Sequence, residues 1–427
     1  MIALLITIFV IGYLTIAFEH SLKVNKAAVA LVTGVLCWTV YILYTDDKHL
    51  VNEQLQHNLG ELSGILFFLL GAMAIVELID AHDGFDLITT RITQLNKVKL
   101  LWIVALITFF LSALLDNLTT TIVIVSLLRK LIKKEEDRLL FCGIVVIAAN
   151  AGGVWSPIGD VTTTMLWISG QITAGNIVMK LIAPSLVCLV APLIFLSFKL
   201  KGTVERPNLD VVKNHKALSV KHQMIVFFSG VLMLVLVPVF KTFTHLPPYM
   251  GILIGLGVLW IITEIIHGKK DEVDKHILSV VYALRKIDTP SILFFFGILV
   301  SIAALQSAGI LTSLATWMTN TIANDDIIVL SLGLLSGIVD NVPLVAAVQG
   351  MYSLTDYPTD HYFWEFLAYA TGTGGSWLII GSAAGVAAMG IEKIGFFWYL
   401  KKISVLALIG YFAGAAVYIL QHQLFGL

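Results

Sequence analysis

The sequence predicts an all-α polytopic membrane protein, built as an inverted-topology repeat with two re-entrant hairpins and two broken transmembrane helices. Its composition, its apolar runs and motifs shared by its two halves support this fold class. Of the 427 residues, 58% are hydrophobic and 13% are charged, and the mean hydropathy is +0.91. Soluble domains carry about 25% charged residues, so we expect the lipid bilayer to surround this chain. Its net charge of −1 gives no sign of a nucleic-acid partner.

Apolar runs long enough for a membrane crossing occur ten times along the chain. A hydrocarbon core of about 30 Å takes about 20 helical residues. The first run has neither a basic start nor a small-residue cleavage site, so we interpret it as a retained span and not as a signal peptide. The ten runs begin near Ile2, Lys26, Leu62, Gly143, Ile177, Gln223, Tyr249, Ser291, Glu365 and Ser404.

Two further apolar runs, Lys99–Lys133 and Asp326–Tyr352, are each interrupted by Asp-Asn near the middle. The positive-inside rule places Lys and Arg in cytoplasmic loops. If each interrupted run is a hairpin that returns to its own side, all 27 basic residues except Lys48, Lys180 and Lys241 are cytoplasmic. We therefore predict two re-entrant hairpins and place both termini on the outer side of the membrane.

Three motifs of the first half recur in the second half at a nearly constant shift. Ile65-Leu66-Phe67-Phe68 returns 227 residues later, Asp116-Asn117 returns after 224, and Gly152-Gly153-x-Trp155-x3-Gly159 returns after 222. Each half holds five crossings and one hairpin, and this odd number means that the second copy enters from the opposite side. An inverted repeat with interrupted helices in matching positions is typical of secondary transporters, whose sites lie near the bilayer midplane.

Three carboxylates lie deep in these apolar runs. Asp116 and Asp340 are at the predicted hairpin tips, and Asp160 follows the break after the run that begins near Gly143. A central Asp costs about 2.5–3.5 kcal/mol on insertion scales, so each is a candidate functional residue. Each acid also precedes a helical run and is a good N-cap. Capping is therefore the alternative interpretation, and the two roles can coexist.

Side chains with oxygen atoms surround these acids. Carboxylate, amide, hydroxyl and freed carbonyl oxygens can replace the hydration shell of a hard cation such as Na⁺, and glycines permit the unwound backbone that presents carbonyls. For cation and proton binding we predict Asp116, Asn117, Asn150, Asp160, Asp340 and Asn341, with Na⁺ itself at all of these except Asp160. Supporting roles are predicted for Ser112, Thr119, Gly152, Thr163, Ser336, Thr373 and Ser376.

Less specific interpretations exist for several of these residues. A hydroxyl in a membrane helix more often bonds its own backbone. Glu77 is a secondary candidate, and the alternative is a charge that reaches the interface. The three cysteines lie singly in apolar runs, so no disulfide framework or zinc site is predicted. We expect no cofactor apart from the transported ions.

The motifs around the acids resemble those of a known family. Leu115-Asp116-Asn117-Leu118-Thr119, the run from Asn150 to Asp160 and the run from Gly337 to Leu344 are similar to the NhaD-type sodium/proton antiporters of the ion transporter superfamily. The resemblance implies exchange of Na⁺ or Li⁺ for H⁺ across the cytoplasmic (inner) membrane, a homodimer held by outer helices, and an elevator motion. It implies functional roles for Ser112, Asp116, Asn117, Thr119, Asn150, Asp160, Ser336, Asp340 and Asn341.

The second broken helix departs from the first. Gly381-Ser382 stands where the first copy has Gly159-Asp160, and Gly372 stands where it has Asn150. We therefore expect one asymmetric site and not two equivalent cation sites.

With this resemblance, the predicted segments divide the chain into five parts. Scaffold helices are predicted in residues 1–97 and 221–323, and a transport domain in residues 98–200 and 324–427, each formed by both repeats. Residues 201–220 are predicted to be a cytoplasmic linker, and so is the polar segment Gly268–Asp288.

Two other classes of function are alternatives to this one. A sodium-coupled organic dianion carrier or an arsenite extruder of the same superfamily is the nearest alternative, although two fixed carboxylates would repel a dianion in a low-dielectric site. An intramembrane aspartyl protease also needs two membrane aspartates, but its Gly-x-Gly-Asp motif is missing around Asp160.

In the expected mechanism of the antiporter, Na⁺ competes with protons for Asp116 and Asp340, while Asp160 binds the cation or holds the proton.

Overall fold

The computed structural model describes residues 1–17, 19–85, 87, 92–207, 219–267, 278–322 and 324–426. Arg91, residues 208–218 of the predicted linker 201–220 and residues 268–277 of the predicted linker Gly268–Asp288 lie outside the described residues. Within them the chain forms helices and loops, together with one isolated β-bridge between Asn96 and Thr203.

Helices follow one another through both halves of the described chain. The first half contains α1 (Ile2–Ala17), α2 (Glu19–Leu22), α3 (Lys26–Tyr44), α4 (Lys48–Ala81), α5 (Lys97–Leu115), α6 (Asn117–Leu131), α7 (Glu135–Val154), α8 (Val161–Ile168) and α9 (Ala174–Lys199). The second half contains α10 (Val220–Thr244), α11 (Pro248–His267), α12 (Val280–Lys286), α13 (Thr289–Ser307), α14 (Ile310–Ile322), α15 (Asp325–Leu335), α16 (Asn341–Met351), α17 (Tyr362–Gly374), α18 (Ala383–Glu392), α19 (Phe396–Lys402) and α20 (Ser404–Phe425).

Nine helices of the described chain are long and apolar enough to cross a membrane. Eight of them, α3, α4, α7, α9, α10, α11, α13 and α20, coincide with predicted crossings, and the ninth is α5, a leg of the first predicted hairpin. The chain is therefore an all-helical polytopic membrane protein. Of the other two predicted crossings, α1 has 16 residues, and the run near Glu365 is divided between α17 and α18.

The third predicted crossing, which begins near Leu62, is part of a longer helix. Helix α4 begins at Lys48 because the carboxylate of Asp47 accepts a hydrogen bond from the Leu50 N–H at 2.9 Å. Its 34 residues give a length of about 51 Å, so its polar first turns extend beyond the apolar layer. Hydropathy alone cannot detect such an extension.

The first predicted hairpin, α5 and α6, has both ends at one short segment. The Lys97 N–H donates to the Gly202 carbonyl at 3.1 Å, and the Lys133 N–H donates to the Glu205 carbonyl at 2.8 Å. The start of α5 and the end of α6 therefore lie together at one face of the molecule. We call this the basic face, because Lys97, Lys133 and Arg138 lie there.

The second predicted hairpin, α15 and α16, also has its ends close together. The Tyr357 hydroxyl donates to the carboxylate of Asp325 at 3.2 Å, and the Tyr357 ring contacts the Tyr352 ring with centroids 5.4 Å apart. Helix α17 begins beside these ends, where the Tyr362 hydroxyl donates to Asp326 at 2.7 Å, while α18 ends on the basic face.

An ion-pair cluster fixes the end of α18 there. The buried carboxylate of Glu392 accepts hydrogen bonds from Arg129 at the end of α6 and from Arg138 in α7, the latter at 2.7 Å. Arg138 also donates to the carbonyls of Ile132 and Lys133. The cluster joins the first hairpin to the second broken helix and so connects the two repeats.

The two halves contain equivalent contacts between a hairpin leg and a broken helix. The Ser112 hydroxyl of α5 donates to the Ala149 carbonyl of α7 at 2.6 Å, and the Ser336 hydroxyl after α15 donates to the Thr371 carbonyl of α17 at 2.8 Å. The repeat found in the sequence is thus also a repeat of contacts.

Several helices from both halves pack against one another. Helices α3 and α13 pack closely at Gly34 and Gly297, and the Trp38 indole N–H donates to the Val300 carbonyl at 2.9 Å. Helix α4 packs against α10 and α11. These are the helices for which a scaffold role is predicted, and the five-part division of the chain stays a prediction.

Cysteine labelling tests the sidedness of both hairpins. Lys97→Cys and Lys134→Cys should both react with an impermeant thiol reagent from one side of the membrane, because the ends of α5 and α6 meet at one segment. Asn324→Cys and Thr355→Cys should both react from the other side. The native Cys37, Cys142 and Cys188 are buried and give a low background. Labelling of one pair from two different sides would rule out the hairpin.

Candidate cation-binding site

Two helices break at equivalent points near the centre of the molecule. Helix α7 ends at Val154 and α8 begins at Val161, while α17 ends at Gly374 and α18 begins at Ala383. Glycine is required at both breaks: a Cβ on Gly153 would lie 2.4 Å from the Gly159 carbonyl oxygen, and one on Gly375 would lie 2.7 Å from that of Gly381. Both breaks therefore expose helix ends inside the protein.

All three predicted acids cap a helix that begins at this level. The carboxylate of Asp116 accepts the N–H and the hydroxyl of Thr119 at 2.7 and 2.9 Å. Asp160 accepts the Thr162 N–H at 3.1 Å, and Asp340 accepts the Val342 N–H at 3.2 Å. The hydrogen bonds expected from the capping interpretation are thus present at all three acids. Capping does not exclude a second role, because each carboxylate oxygen has more than one lone pair.

The backbone at Asp116 is unusual. Its φ is 106°, a conformation that residues with a side chain rarely adopt and that costs about 1–3 kcal/mol. Strain of this kind persists where the surrounding contacts enforce it, and it is concentrated at functional sites. Here it directs the carboxylate of the first hairpin tip back over the start of α6.

The second oxygen of Asp160 is the distinctive feature of the site. Asp160 is 1% exposed, and its Oδ2 has no hydrogen-bond partner of normal geometry among the described residues, while the nearby Thr162 hydroxyl also lacks one. Gly372 leaves room for this oxygen, since a Cβ there would lie 3.0 Å from Oδ2. Asp160 also lies within electrostatic range of both Asp116 and Asp340. A buried carboxylate oxygen without a partner needs either a proton or a cation.

Asn150 joins the first hairpin to the second broken helix. Its Oδ1 accepts from the amide of Asn117 at 3.0 Å, and its Nδ2 donates to the hydroxyls of Ser376 and Ser382 at 2.8 and 2.9 Å. The amide of Asn150 is therefore occupied by protein partners. Its predicted role as a Na⁺ ligand stays a prediction, whereas its role in connecting the repeats is a direct contact.

Ser382 was missed among the candidate residues. It holds the position equivalent to Asp160, and its hydroxyl accepts the Gly385 N–H at 3.2 Å while it also binds Asn150. The signal was present in the aligned repeats, where Gly381-Ser382 matches Gly159-Asp160. Two buried helix ends are therefore capped alike, by a carboxylate in one repeat and by a hydroxyl in the other.

The remaining hydroxyl candidates bond to backbone carbonyls. Thr373 donates to Tyr369 at 2.6 Å, and Thr163 donates to Val154, at the break itself, at 3.4 Å. Their hydrogens are engaged, but their lone pairs still face the interior. Asn341 is 4% exposed at the start of α16. The structure thus gathers all the predicted polar residues except Glu77 around two breaks and two tips.

Two residues that sequence analysis missed lie beside Asp340. Lys26, at the start of α3, is within electrostatic range of its carboxylate, and Tyr13 of α1 lies beside its backbone. Both belong to helices outside the predicted transport segments. Glu77 lies elsewhere, 3.4 Å from the ammonium of Lys286.

Interrupted helices, tip acids and a buried unpaired carboxylate in an all-helical membrane protein define a secondary transporter. The chain matches the model of the citrate transporter family (CitMHS) over residues 3–374, and it belongs to that family. The relatives below are named as antiporters, which are carriers and not enzymes.

Several relatives are similar over nearly the whole chain. Sodium/proton antiporter 1 of Arabidopsis thaliana is 51% identical over 98% of this chain and 72% of its own length. Sodium/proton antiporter 2 of the same plant is 47% identical over 97% and 99%. The Na(+)/H(+) antiporter NhaD of Vibrio cholerae is 30% identical over 98% and 91%. The resemblance to NhaD-type antiporters is confirmed.

Gly152→Ala tests the close packing behind the site. The added Cβ would lie 2.1 Å from the Phe109 carbonyl oxygen, so α5 and α7 must separate, which should cost about 1–3 kcal/mol of stability. Thermal unfolding in detergent measures the loss. The matched control is Gly257→Ala in α11, where a Cβ meets nothing within 4 Å. Equal midpoints for both variants would contradict the packing described here.

Proposed function

We propose that the protein is a secondary antiporter that exchanges Na⁺, and also Li⁺, for H⁺ across the cytoplasmic membrane. The observation that carries the proposal is the buried, unpaired Oδ2 of Asp160, within electrostatic range of two further aspartates at helix tips. The names of the relatives from Arabidopsis thaliana and Vibrio cholerae support the choice of ions.

Coupling follows from competition for one set of oxygens. Without a cation, charge repulsion and burial favour protonation of Asp160 or of a tip aspartate, because a bare carboxylate is unfavourable in a low-dielectric interior. Na⁺ can take the place of the proton, since carboxylate and hydroxyl oxygens replace its hydration shell. The two ions exclude each other, so each passage of Na⁺ in one direction returns protons in the other.

The proposal includes a topology and a motion. The basic face is assigned to the cytoplasm by the positive-inside rule, so α5 and α6 re-enter from the cytoplasm, α15 and α16 re-enter from outside, and both termini lie outside. The hairpins and broken helices move as one body against a scaffold that includes α3 and α13, in the manner of an elevator. A homodimer through the scaffold is part of the same proposal.

Transport of citrate or another organic dianion is the second candidate, because the family carries the description of a citrate transporter. Three aspartates at the centre disfavour a dianion, since like charges repel strongly where water is scarce. The charge of Lys26 near Asp340 compensates only one of them. The dianion carrier, and the arsenite carrier of the same superfamily, are therefore less well supported than the antiporter.

Transport in proteoliposomes separates these candidates. With a pH-sensitive dye trapped inside, Na⁺ or Li⁺ alone should move protons, because the proposed site offers carboxylates and needs no anion. K⁺, citrate, succinate and arsenite are then added in turn, and protein-free liposomes serve as the control. Proton movement that requires citrate, succinate or arsenite, with no response to Na⁺ or Li⁺, would favour the second candidate.

Asp→Asn variants separate cation coupling from helix capping. Asn caps as well as Asp but cannot release a proton, so Asp116→Asn, Asp160→Asn and Asp340→Asn should each abolish Na⁺-driven proton movement while the protein stays folded. Asp47→Asn is the matched control, because Asp47 caps α4 at an exposed position, and it should exchange normally. Size-exclusion profiles and thermal unfolding check folding. Normal exchange in all three variants would reduce these aspartates to caps.

A further inference from the structure

A cavity of about 340 Å³ opens between α4, α6 and α12. Its polar lining consists of Glu77, Asp80, Thr119, Ser126, Lys130 and Lys286, together with Asp288. At the deep end, the Thr119 hydroxyl donates to the carboxylate of Asp116 at 2.9 Å. The cavity therefore ends one hydrogen bond from a tip aspartate of the candidate site.

The cavity belongs to the basic face. Helix α4 runs toward that face and ends at Ala81, and α6 ends there at Leu131. Glu77 and Lys130 lie in the last turns of these two helices, so the wall near them is the outer part of the cavity, whereas Leu118 and Thr119 form the inner part. An ion that uses this path passes Glu77 before it reaches Asp116.

The carboxylate of Glu77 already forms an ion pair with a positively charged side chain of the protein. The Lys286 ammonium lies 3.4 Å from the Glu77 carboxylate, and the two side chains are 45% and 22% exposed. The pair is thus neither fully buried nor fully solvated. A partly buried carboxylate in a cleft raises the local concentration of cations, and an adjacent ammonium opposes that effect.

We propose that Glu77 and Lys286 act in opposite directions on the passage of cations through this cavity: Glu77 attracts the cation and Lys286 competes with it. Asp80 and Asp288 add negative charge to the same wall, and Lys130 adds positive charge. This inference rests on the proposed Na⁺/H⁺ exchange for its physiological ion. The cavity, its charges and its connection to Asp116 do not depend on that function.

A purely structural pair would behave differently. If the ion pair only holds α12 against α4, removal of either partner should weaken the same contact. Glu77→Gln and Lys286→Gln should then change the access of cations to the cavity in the same direction. Opposite signs arise only if the two charges act on a third, mobile charge. The test therefore compares the two neutral variants with each other.

The first measurement does not require transport. Ser126→Cys places a thiol in the cavity at an exposed position, and vesicles with the basic face outward are treated with a cationic or an anionic methanethiosulfonate reagent. Glu77→Gln should lower the ratio of the cationic to the anionic rate, and Lys286→Gln should raise it, each by about two- to fivefold for a charge pair near the surface. Glu61→Gln is the control, since Glu61 pairs with His57 near the opposite end of α4.

The second measurement uses exchange. Glu77→Gln should raise the KM for Na⁺ at the basic face by about two- to fivefold and Lys286→Gln should lower it, with little change in maximal rate, and the double variant should resemble Glu77→Gln. Unchanged reagent ratios, or ratios that move in the same direction, overturn the inference even in a protein that exchanges Na⁺. If the ratios move in opposite directions in a protein that exchanges no Na⁺, the inference is supported and the proposed function fails.

Discussion

Four helices begin in the middle of this apolar molecule, and each beginning leaves backbone N–H groups that need partners. At the surface, water would satisfy them. Within a membrane protein, where water is scarce, side chains commonly do so. Asp116, Asp160, Asp340 and Ser382 fulfil this requirement. The polar centre is thus a consequence of breaking helices inside the protein, and the glycines, the close helix contacts and the hydroxyls around it all accommodate those breaks.

Asymmetry turns this capping arrangement into a site. The repeat supplies matching geometry, but only one broken helix has an acid as its cap, and the oxygen of Asp160 that does not cap points toward Gly372 of the other repeat. Asn150, which corresponds to Gly372, reaches in the other direction and binds Ser382. A small residue in one copy makes room for a functional group of the other. The contacts at the two breaks are thus unequal, and a single cation site shared by both repeats stays a prediction.

The apolar spans and the positions of the interruptions could be predicted from the sequence, because hydropathy and Asp-Asn in an apolar run are local signals. The start of α4 could not be predicted, since a polar extension of a helix has the same low hydropathy as a loop. The proximity of Lys26 to Asp340 could not be predicted for a different reason. The two residues are far apart in the sequence, and a lysine at a helix start is usually interfacial. Ser382 was overlooked because a serine in a membrane helix is a weak signal, although its equivalence to Asp160 was visible in the repeat.

The contacts between the repeats bear on how such a site can be opened to each side. If the hairpin and broken helix of one repeat moved away from those of the other, the bonds of Asn150 to Ser376 and Ser382 would break, and each buried group left without a partner costs about 1–3 kcal/mol. The Glu392 cluster would be disrupted as well, with a buried charge left unpaired. Movement of both hairpins and both broken helices together preserves all of these bonds and repacks mainly apolar contacts, such as those of α16 with α13. The hydrogen bonds at the centre therefore favour displacement of the whole site over separate opening of either half.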